Sequence, residues 1–260
     1  MQGTSQHDDG YLLRPQTASQ KTLAVLEAAL LNTRFTDIVD AAELPKSTVH
    51  RILAMLIGSG FISGDAEHGY RAGKRFTFLA GRTLSELDIV ALAEPIVADL
   101  VASTQCTVHI GEAASEEVSY LFGAESQRPY RVHSRAGRSA WLHTTGLGKA
   151  VLAHRTEEEV HSYAERTGLP AQTEATLTEV DALLHELEQV AERGYALDLE
   201  EHEVGTVCVS APIFNHRGEP AYSLSISSLV VTHPDDSIGR FGPSAVAAAA
   251  DISELLGARR

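Results

Sequence analysis

Leu44-Pro45-Lys46-Ser47-Thr48-Val49-His50-Arg51-Ile52-Leu53 lies at the centre of a stretch, Thr36 to Arg75, that reads as a helix-turn-helix followed by a β-hairpin wing. Val49, Ile52, Leu53, Leu56 and Ile57 recur at i, i+3, i+4, i+7 and i+8, one apolar stripe of an α-helix that faces a core. At about 100° per residue the opposite side carries Ser47, Arg51 and Ala54, with His50 to one flank. Small, hydroxylated and guanidinium side chains near a helix start suit a major groove, where Arg reads guanine bidentately and Ser or Thr reads either kind of edge. Pro45 suits the first turn of this helix, and Gly58 and Gly60 mark its far end.

An amphipathic helix alone is equally an ordinary solvated surface, so its neighbours decide. Upstream, Thr36 is placed to cap a short helix, Asp37 to Ala42, and only the Glu43-Leu44 turn separates it from Pro45, so the two helices must cross. Downstream, Gly60-Phe61-Ile62-Ser63 and Tyr70-Arg71-Ala72 flank a turn-rich loop and read as two short strands. Lys46, Ser47, Thr48, His50 and Arg51 are therefore the groove-facing candidates, and Arg71, Lys74 and Arg75 the phosphate contacts of the wing and its exit.

The charge distribution separates this stretch from the rest. Residues 1–80 hold eight Lys or Arg against eight Asp or Glu, whereas residues 81–260 hold thirteen against twenty-seven, so the whole net charge of −14 falls in the second part. Phosphate repels such a surface, and the C-terminal part is expected to do something other than lie along DNA. Two cysteines, Cys106 and Cys208, cannot staple 260 residues and point to a reducing cytoplasm. The polar, acidic start, with Gln6-His7-Asp8-Asp9-Gly10, carries no secretion signal. No apolar run reaches the about 20 residues that span a bilayer, so a soluble cytoplasmic protein without a membrane partner is expected.

Along the chain, residues 1–17 read as a disordered leader and 18–75 as the winged helix-turn-helix domain, whose first helix, 20–32, carries Leu23, Leu26 and Leu30 on one face. Residues 76–87 read as a linker helix with Phe76, Leu79 and Leu84, and 88–260 as an α+β domain. It opens with an apolar helix, Asp88 to Thr104, in which Pro95 predicts a kink or boundary. Strands are expected at Thr107–Ile110, Val118–Phe122 and Arg131–His133, and a long loop, 135–149, leads into a helix near Gly148. Thr178-Glu179-Val180-Asp181 resembles a capping box for a helix ended by Gly194. Strands follow at Tyr195–Leu199, Val207–Phe214 and Ala221–Ser228, and a last helix runs from Pro243 to Leu256.

Between the last two strands, Asn215-His216-Arg217-Gly218 predicts a four-residue hairpin loop with Phe214 opposite Glu219, Cys208 opposite Ser225 and Ser210 opposite Ser223. Ser227 then lies diagonal to Cys208, and Val207, Val209, Ala211, Ile213, Leu224 and Ile226 point to the other face. The small hydroxylated face is either the solvated side of an antiparallel sheet or the floor of a pocket for a small anion. Asp198 and the Gly146-Leu147-Gly148 turn at a helix start complete such a pocket, with Asp198 protonated or paired with a hydroxyl.

Other chemistries find less support. Gly146-Leu147-Gly148-Lys149-Ala150 fails as a phosphate loop, because His143 falls on the first glycine and Ala150 on the metal-binding hydroxyl. Val151 stands where a dinucleotide fingerprint needs its third glycine. Among twelve histidines there is no HxxxH, and no CxxC occurs, so His109, His133, His143 and His216 read as surface or core residues and no metal is expected. Nothing local activates Cys208 as a nucleophile; neither an enzyme nor a cofactor is expected.

Four blocks in order, Leu44 to Leu53, the wing from Gly60 to Gly73, Leu142-His143-Thr144-Thr145-Gly146-Leu147-Gly148-Lys149-Ala150, and Arg193-Gly194-Tyr195-Ala196-Leu197-Asp198 continued through Gly205 and Cys208 to Ser227, resemble the IclR family of bacterial transcriptional regulators over about residues 20–257. The resemblance implies a winged helix-turn-helix joined by a linker helix to a GAF-like α/β domain that binds a small effector, often an organic acid or aromatic catabolite. It implies a homodimer or homotetramer on double-stranded operator DNA. Carried over by position, the effector site involves Val132, Gly146, Leu147, Asp198, Thr206, Cys208, Ser225 and Ser227. Two positions depart from the family's pattern: Glu43 replaces a usual glycine in the turn, and Trp141 a common proline.

Overall fold

The computed structural model describes residues 17–233 and 237–258, so the leader expected at 1–17 lies almost wholly outside the described residues. The chain divides into two compact units, Met1–Leu87 and Asp88–Arg260.

In the first unit, α1 (Ala18–Leu31), α2 (Phe35–Ala42) and α3 (Lys46–Gly58) precede a hairpin of β1 (Ile62–Asp65) and β2 (Gly69–Ala72), and α4 (Lys74–Ser85) closes it. A capping box starts α1: Gln20 N–H donates to Thr17 Oγ1 and Thr17 N–H to Gln20 Oε1. Its buried face is Val25, Ala28 and Ala29, with the predicted Leu26 and Leu30 partly buried against the same core, whereas Leu23 is 64% exposed. Thr36 is no cap, because α2 begins at Phe35, two residues earlier than expected, behind Arg34. Glu43 takes the left-handed conformation, φ 49°, so the turn keeps the geometry that glycine adopts more cheaply. Val49, Ile52, Leu53 and Leu56 join Val25, Ile38, Ile62 and Tyr70 in one core, while Ile57, at the rim, is 37% exposed.

The second unit is built on an antiparallel six-stranded sheet ordered β5-β4-β3-β8-β7-β6, with β3 Thr107–Ala114, β4 Glu117–Ala124, β5 Ser139–Trp141, β6 Ala196–Leu199, β7 Thr206–Phe214 and β8 Pro220–Leu229. One sheet face is aliphatic, with Val108, Ile110, Val209, Leu224 and Ile226 packed against α5 (Ile89–Thr104) and α9 (Gly242–Leu255). Helix α6 (Gly146–Leu152) lies across the other face, backed by α8 (Val180–Arg193) and α7 (Glu157–Thr167). Asp198, Thr206, Cys208, Ser210, Ser223, Ser225 and Ser227 all point to this α6 side.

Several expectations change here. Pro95 sits inside one uninterrupted α5, whose N-terminus is capped by Asp88 accepting from Val90 N–H, so the unit boundary falls at that cap. The third strand is Ser139–Trp141; residues 131–133 form a loop instead. Helix α8 starts behind Glu179 without a side-chain cap, and the capping box of this region is Thr156 with Glu159 on the unforeseen α7.

The hairpin register also moves. Asn215 N–H donates to Glu219 O, Gly218 adopts φ +76°, and a bulge at Ile213/Phe214 follows, so Phe214 faces Pro220, Ser210 faces Ser225 and Cys208 faces Ser227. The pairing slips by two residues on the long arm. Side chains alternate with period two, so each keeps its predicted face.

Candidate functional site

The outward face of α3 carries Lys46, Ser47, His50, Arg51 and Ala54, all exposed, while Thr48 is half-buried and turned partly towards the core. Thr48 and Val49 N–H groups bond to Pro45 O, which leaves the amides of Lys46 and Ser47 at the open N-terminal end of the helix. Arg71, Lys74 and Arg75 are exposed at the base of the wing, and the Arg75 guanidinium stacks on Phe61, 5.0 Å from the ring centroid. The wing tip differs: Asp65 Oδ1 accepts from the N–H groups of Glu67 and His68, closing the turn with acidic side chains. Positive charge therefore sits at the wing's base, not at its tip.

In the second unit the polar sheet face is buried, which removes the solvated-sheet alternative: Ser210 and Ser223 are 0% exposed, Ser225 2% and Ser227 3%. Gly146 lets α6 press onto it, since a Cβ there would lie 2.6 Å from Ser210 Oγ and 3.6 Å from Asp198 Cβ. A hydrogen-bond chain crosses the strands. Arg135 N–H donates to His109 Nε2 at 3.3 Å, leaving the proton on Nδ1, which meets Ser227 Oγ at 3.4 Å. Ser227 Oγ accepts from Cys208 Sγ at 3.2 Å and pairs with Ser225 Oγ at 3.3 Å. Ser210 Oγ and Ser223 Oγ, both buried, have no partner. A buried hydroxyl without a partner costs about 1–3 kcal/mol, a cost that a bound polar ligand removes.

Burial, reinforced by Glu201, pushes the Asp198 carboxyl up to about 7, even though its Oδ1 accepts from the N–H groups of Glu201 at 2.9 Å and His202 at 3.3 Å. Burial and the Arg135 guanidinium hold His109 and His202 neutral, each at about 4. Burial and the neighbouring Asp198 carry the Cys208 thiol well above its ordinary range, so it is an inert donor and no nucleophile.

Of the eight positions carried over from the resemblance, Asp198, Thr206, Cys208, Ser225 and Ser227 lie on this face, and Gly146 and Leu147 lie above it at the start of α6. Leu147 is packed into an apolar cluster with Val118 and Tyr120. Val132 belongs to the covering loop, its carbonyl accepting from Thr107 Oγ1 at 2.6 Å. Trp141 is on the edge strand β5, with β4 and β3 between it and β8.

Residue-by-residue reading of the sequence missed Arg135, His109, His202 and Glu203. Arg135 pairs with Glu203, and Thr206 Oγ1 donates to Glu203 Oε2 at 3.3 Å. Strand alternation was the available signal for His109, which shares parity with Thr107 on β3; for Arg135 it was only a place in the long 135–149 loop, and His202 and Glu203 had none.

A cleft of about 520 Å³ opens elsewhere, beside Lys149, Leu177, Glu186, Arg193, Leu199 and Glu201. Its charged groups are already satisfied. Lys149 Nζ donates to Glu201 at 2.6 and 2.8 Å and lies 3.6 Å from Glu186, which accepts from Arg193 at 2.7 Å. The polar sheet face, by contrast, keeps two buried hydroxyls without a partner. Among the described residues no group of three or more His, Cys, Asp or Glu is arranged to hold a metal ion.

A winged helix-turn-helix with a cationic outer face, followed by an α/β unit with a buried polar floor, defines a DNA-binding regulator carrying a ligand domain. Residues 81–254 match the model of the bacterial transcriptional regulator IclR C-terminal domain, and residues 20–66 that of the IclR helix-turn-helix domain. The chain belongs to the IclR family of transcriptional regulators, which are not enzymes.

It is 32% identical over 228 residues to the transcriptional repressor IclR of Escherichia coli K12, covering 86% of this chain and 83% of the relative. It is 30% identical over 223 residues to the regulator KdgR of the same organism, covering 85% of each. The crystal structure of Thermotoga maritima IclR matches 92% of this chain and 98% of its own, with a TM-score of 0.62 at 27% identity. That of the Agobacterium tumefaciens repressor BlcR covers 93% and 96% with a TM-score of 0.74, at 24% identity a likeness of fold.

Proposed function

We propose that α3 enters the major groove of operator DNA as part of a homodimer or homotetramer, and that a small carboxylic acid bound on the polar face of the second unit changes that binding. The observation that carries the effector reading is the pair of buried, partnerless hydroxyls of Ser210, which lies one cross-strand row from Asp198 and Cys208, and Ser223, one row further along the same face. Each of these hydroxyls has one O–H that can donate to a carboxylate oxygen. A protonated Asp198 adds a further donor, where an ionised one would repel an anion.

Lys46, Ser47, His50 and Arg51 are the base-reading candidates, with Thr48 contributing at the helix start; Arg71, Lys74 and Arg75 hold phosphates. DNA in the cytoplasm is the compartment this implies. A single recognition helix reads few base pairs, so two helices on a two-fold symmetric site are required.

Bulk on the polar floor should block the ligand and leave the DNA-binding unit untouched. In a mobility shift with the operator and a panel of small acids, Cys208→Leu and Ser225→Leu are expected to bind operator as wild type does while losing the response to any acid that affects wild type. Normal responses from both variants would move the effector site away from this face.

A further inference from the structure

The polar floor is covered by two loops, residues 131–138 and 200–205, and one ion pair joins them: Arg135 Nη2 to Glu203 Oε2. The two partners are placed unequally. The Arg135 side chain is 14% exposed, whereas Glu203 is 57% exposed, so the cation is sunk into the site and the anion reaches in from solvent. The Arg135 backbone starts the hydrogen-bond chain through His109 to Ser227 and Ser225, and its guanidinium is close enough to depress both His109 and His202. Lys149, whose charge acts on Asp198, is committed to Glu201 and Glu186.

We propose that Glu203 is a built-in stand-in for the effector: when the loops part, the effector's carboxylate replaces the Glu203 carboxylate on Arg135 and the rest of the molecule lies on the hydroxyl floor. This rests on the reading of the polar face as the effector site. Exchange of one carboxylate for another keeps the half-buried guanidinium paired throughout. The displaced Glu203 turns into the water it already borders, at small cost. A neutral ligand of the same shape leaves Arg135 without an anion, so Arg135 selects acids over their amides. Glu203 sets the affinity, because a ligand binds only to the fraction of molecules in which the internal pair is open.

The two partners should therefore act with opposite signs. The probes are acetate, propanoate, butanoate and benzoate with the corresponding amides, titrated by calorimetry into the full chain at millimolar concentrations. Wild type is expected to bind at least one acid and none of the amides comparably. Glu203→Gln removes the competing charge while preserving size and an acceptor for Thr206, and is expected to tighten that acid by about tenfold or more. Arg135→Gln is expected to weaken it by a similar factor and to erase the preference for acid over amide. Arg135→Lys, which keeps the charge, guards against a folding artefact and should bind between the two.

A pair that serves only to tether the loops predicts the same sign for both changes, and weaker binding by Glu203→Gln would overturn the proposal. So would the absence of acid binding by wild type. Binding lost in Ser225→Leu but unaltered in Arg135→Gln would leave the polar face standing as the site and remove Arg135 from it. Binding unchanged in Glu203→Gln, Arg135→Gln and Ser225→Leu would refute the site itself.

Discussion

Asp198 and its neighbours give this protein an opposed pair of titrations in one site. The Asp198 carboxyl, ordinarily at 3.8, stands at about 7 in the fold, so between those values the folded chain holds a proton that the unfolded chain has released. Its contribution to stability is full below the lower value and is lost as pH rises through the upper one. His109 and His202 work the other way: ordinarily at 6.5 and here at about 4, they contribute stability above the higher value that is lost as pH falls through the lower. Asp198→Asn keeps an oxygen for the Glu201 and His202 amides and removes only the ionisation. The stability of wild type minus that of the variant should fall as pH rises from about 4 to about 7, with the histidine terms cancelling. Chemical denaturation at stepped pH measures it; a flat difference would mean that Asp198 is ionised in the fold.

At the scale of elements, the proposed DNA complex divides the work between α3 and the wing. Arg51 projects from the exposed face of a helix whose other side is locked by Val49, Ile52, Leu53 and Leu56, so its guanidinium is presented on a rigid support. Arg51→Ala is expected to lower specific affinity by about 1–3 kcal/mol and to relax the sequence preference at one position. Arg75 is stacked on Phe61 at the wing's base, and as the proposed phosphate contact its change Arg75→Ala should weaken all sequences alike and reduce the salt slope by about one. Mobility shifts on operator and scrambled duplexes at stepped salt separate the two; wild-type behaviour of Arg51→Ala would take α3 out of the groove. Helix α4 belongs to the proposed assembly. Phe78 is 67% exposed and Leu79 44%, so this amphipathic helix offers an apolar surface for a second copy. Phe78→Ser with Leu79→Ser should shift the assembly towards monomer in light scattering, and an unchanged mass would assign assembly to the second unit.

The whole molecule is two separate folding problems. The second unit has its own core between sheet and α5/α9 and a further apolar cluster beneath α6 and α7, and its first helix is capped at Asp88. Expressed from residue 88 onward, it should unfold in one cooperative transition and bind the same acids as the full chain while losing DNA. An aggregated product, or one that needs the first unit to bind ligand, would contradict this independence.

Periodicity, charge and turn chemistry were sufficient for the helix-turn-helix, the wing, the neutral-to-acidic division of the chain and the face on which each residue of the last hairpin lies. These are local properties, and a strand's alternation survives even a two-residue slip in pairing. Tertiary structure alone decided the rest. Whether the hydroxylated face meets water or α6 depends on a helix some sixty residues away in sequence, admitted by Gly146 lying against Ser210. The register turned on a bulge at Ile213/Phe214 that no composition marks. His109, Arg135 and Glu203 come from a strand and two loops without periodicity, so their meeting over the floor is a fact of chain packing that no single stretch of sequence contains.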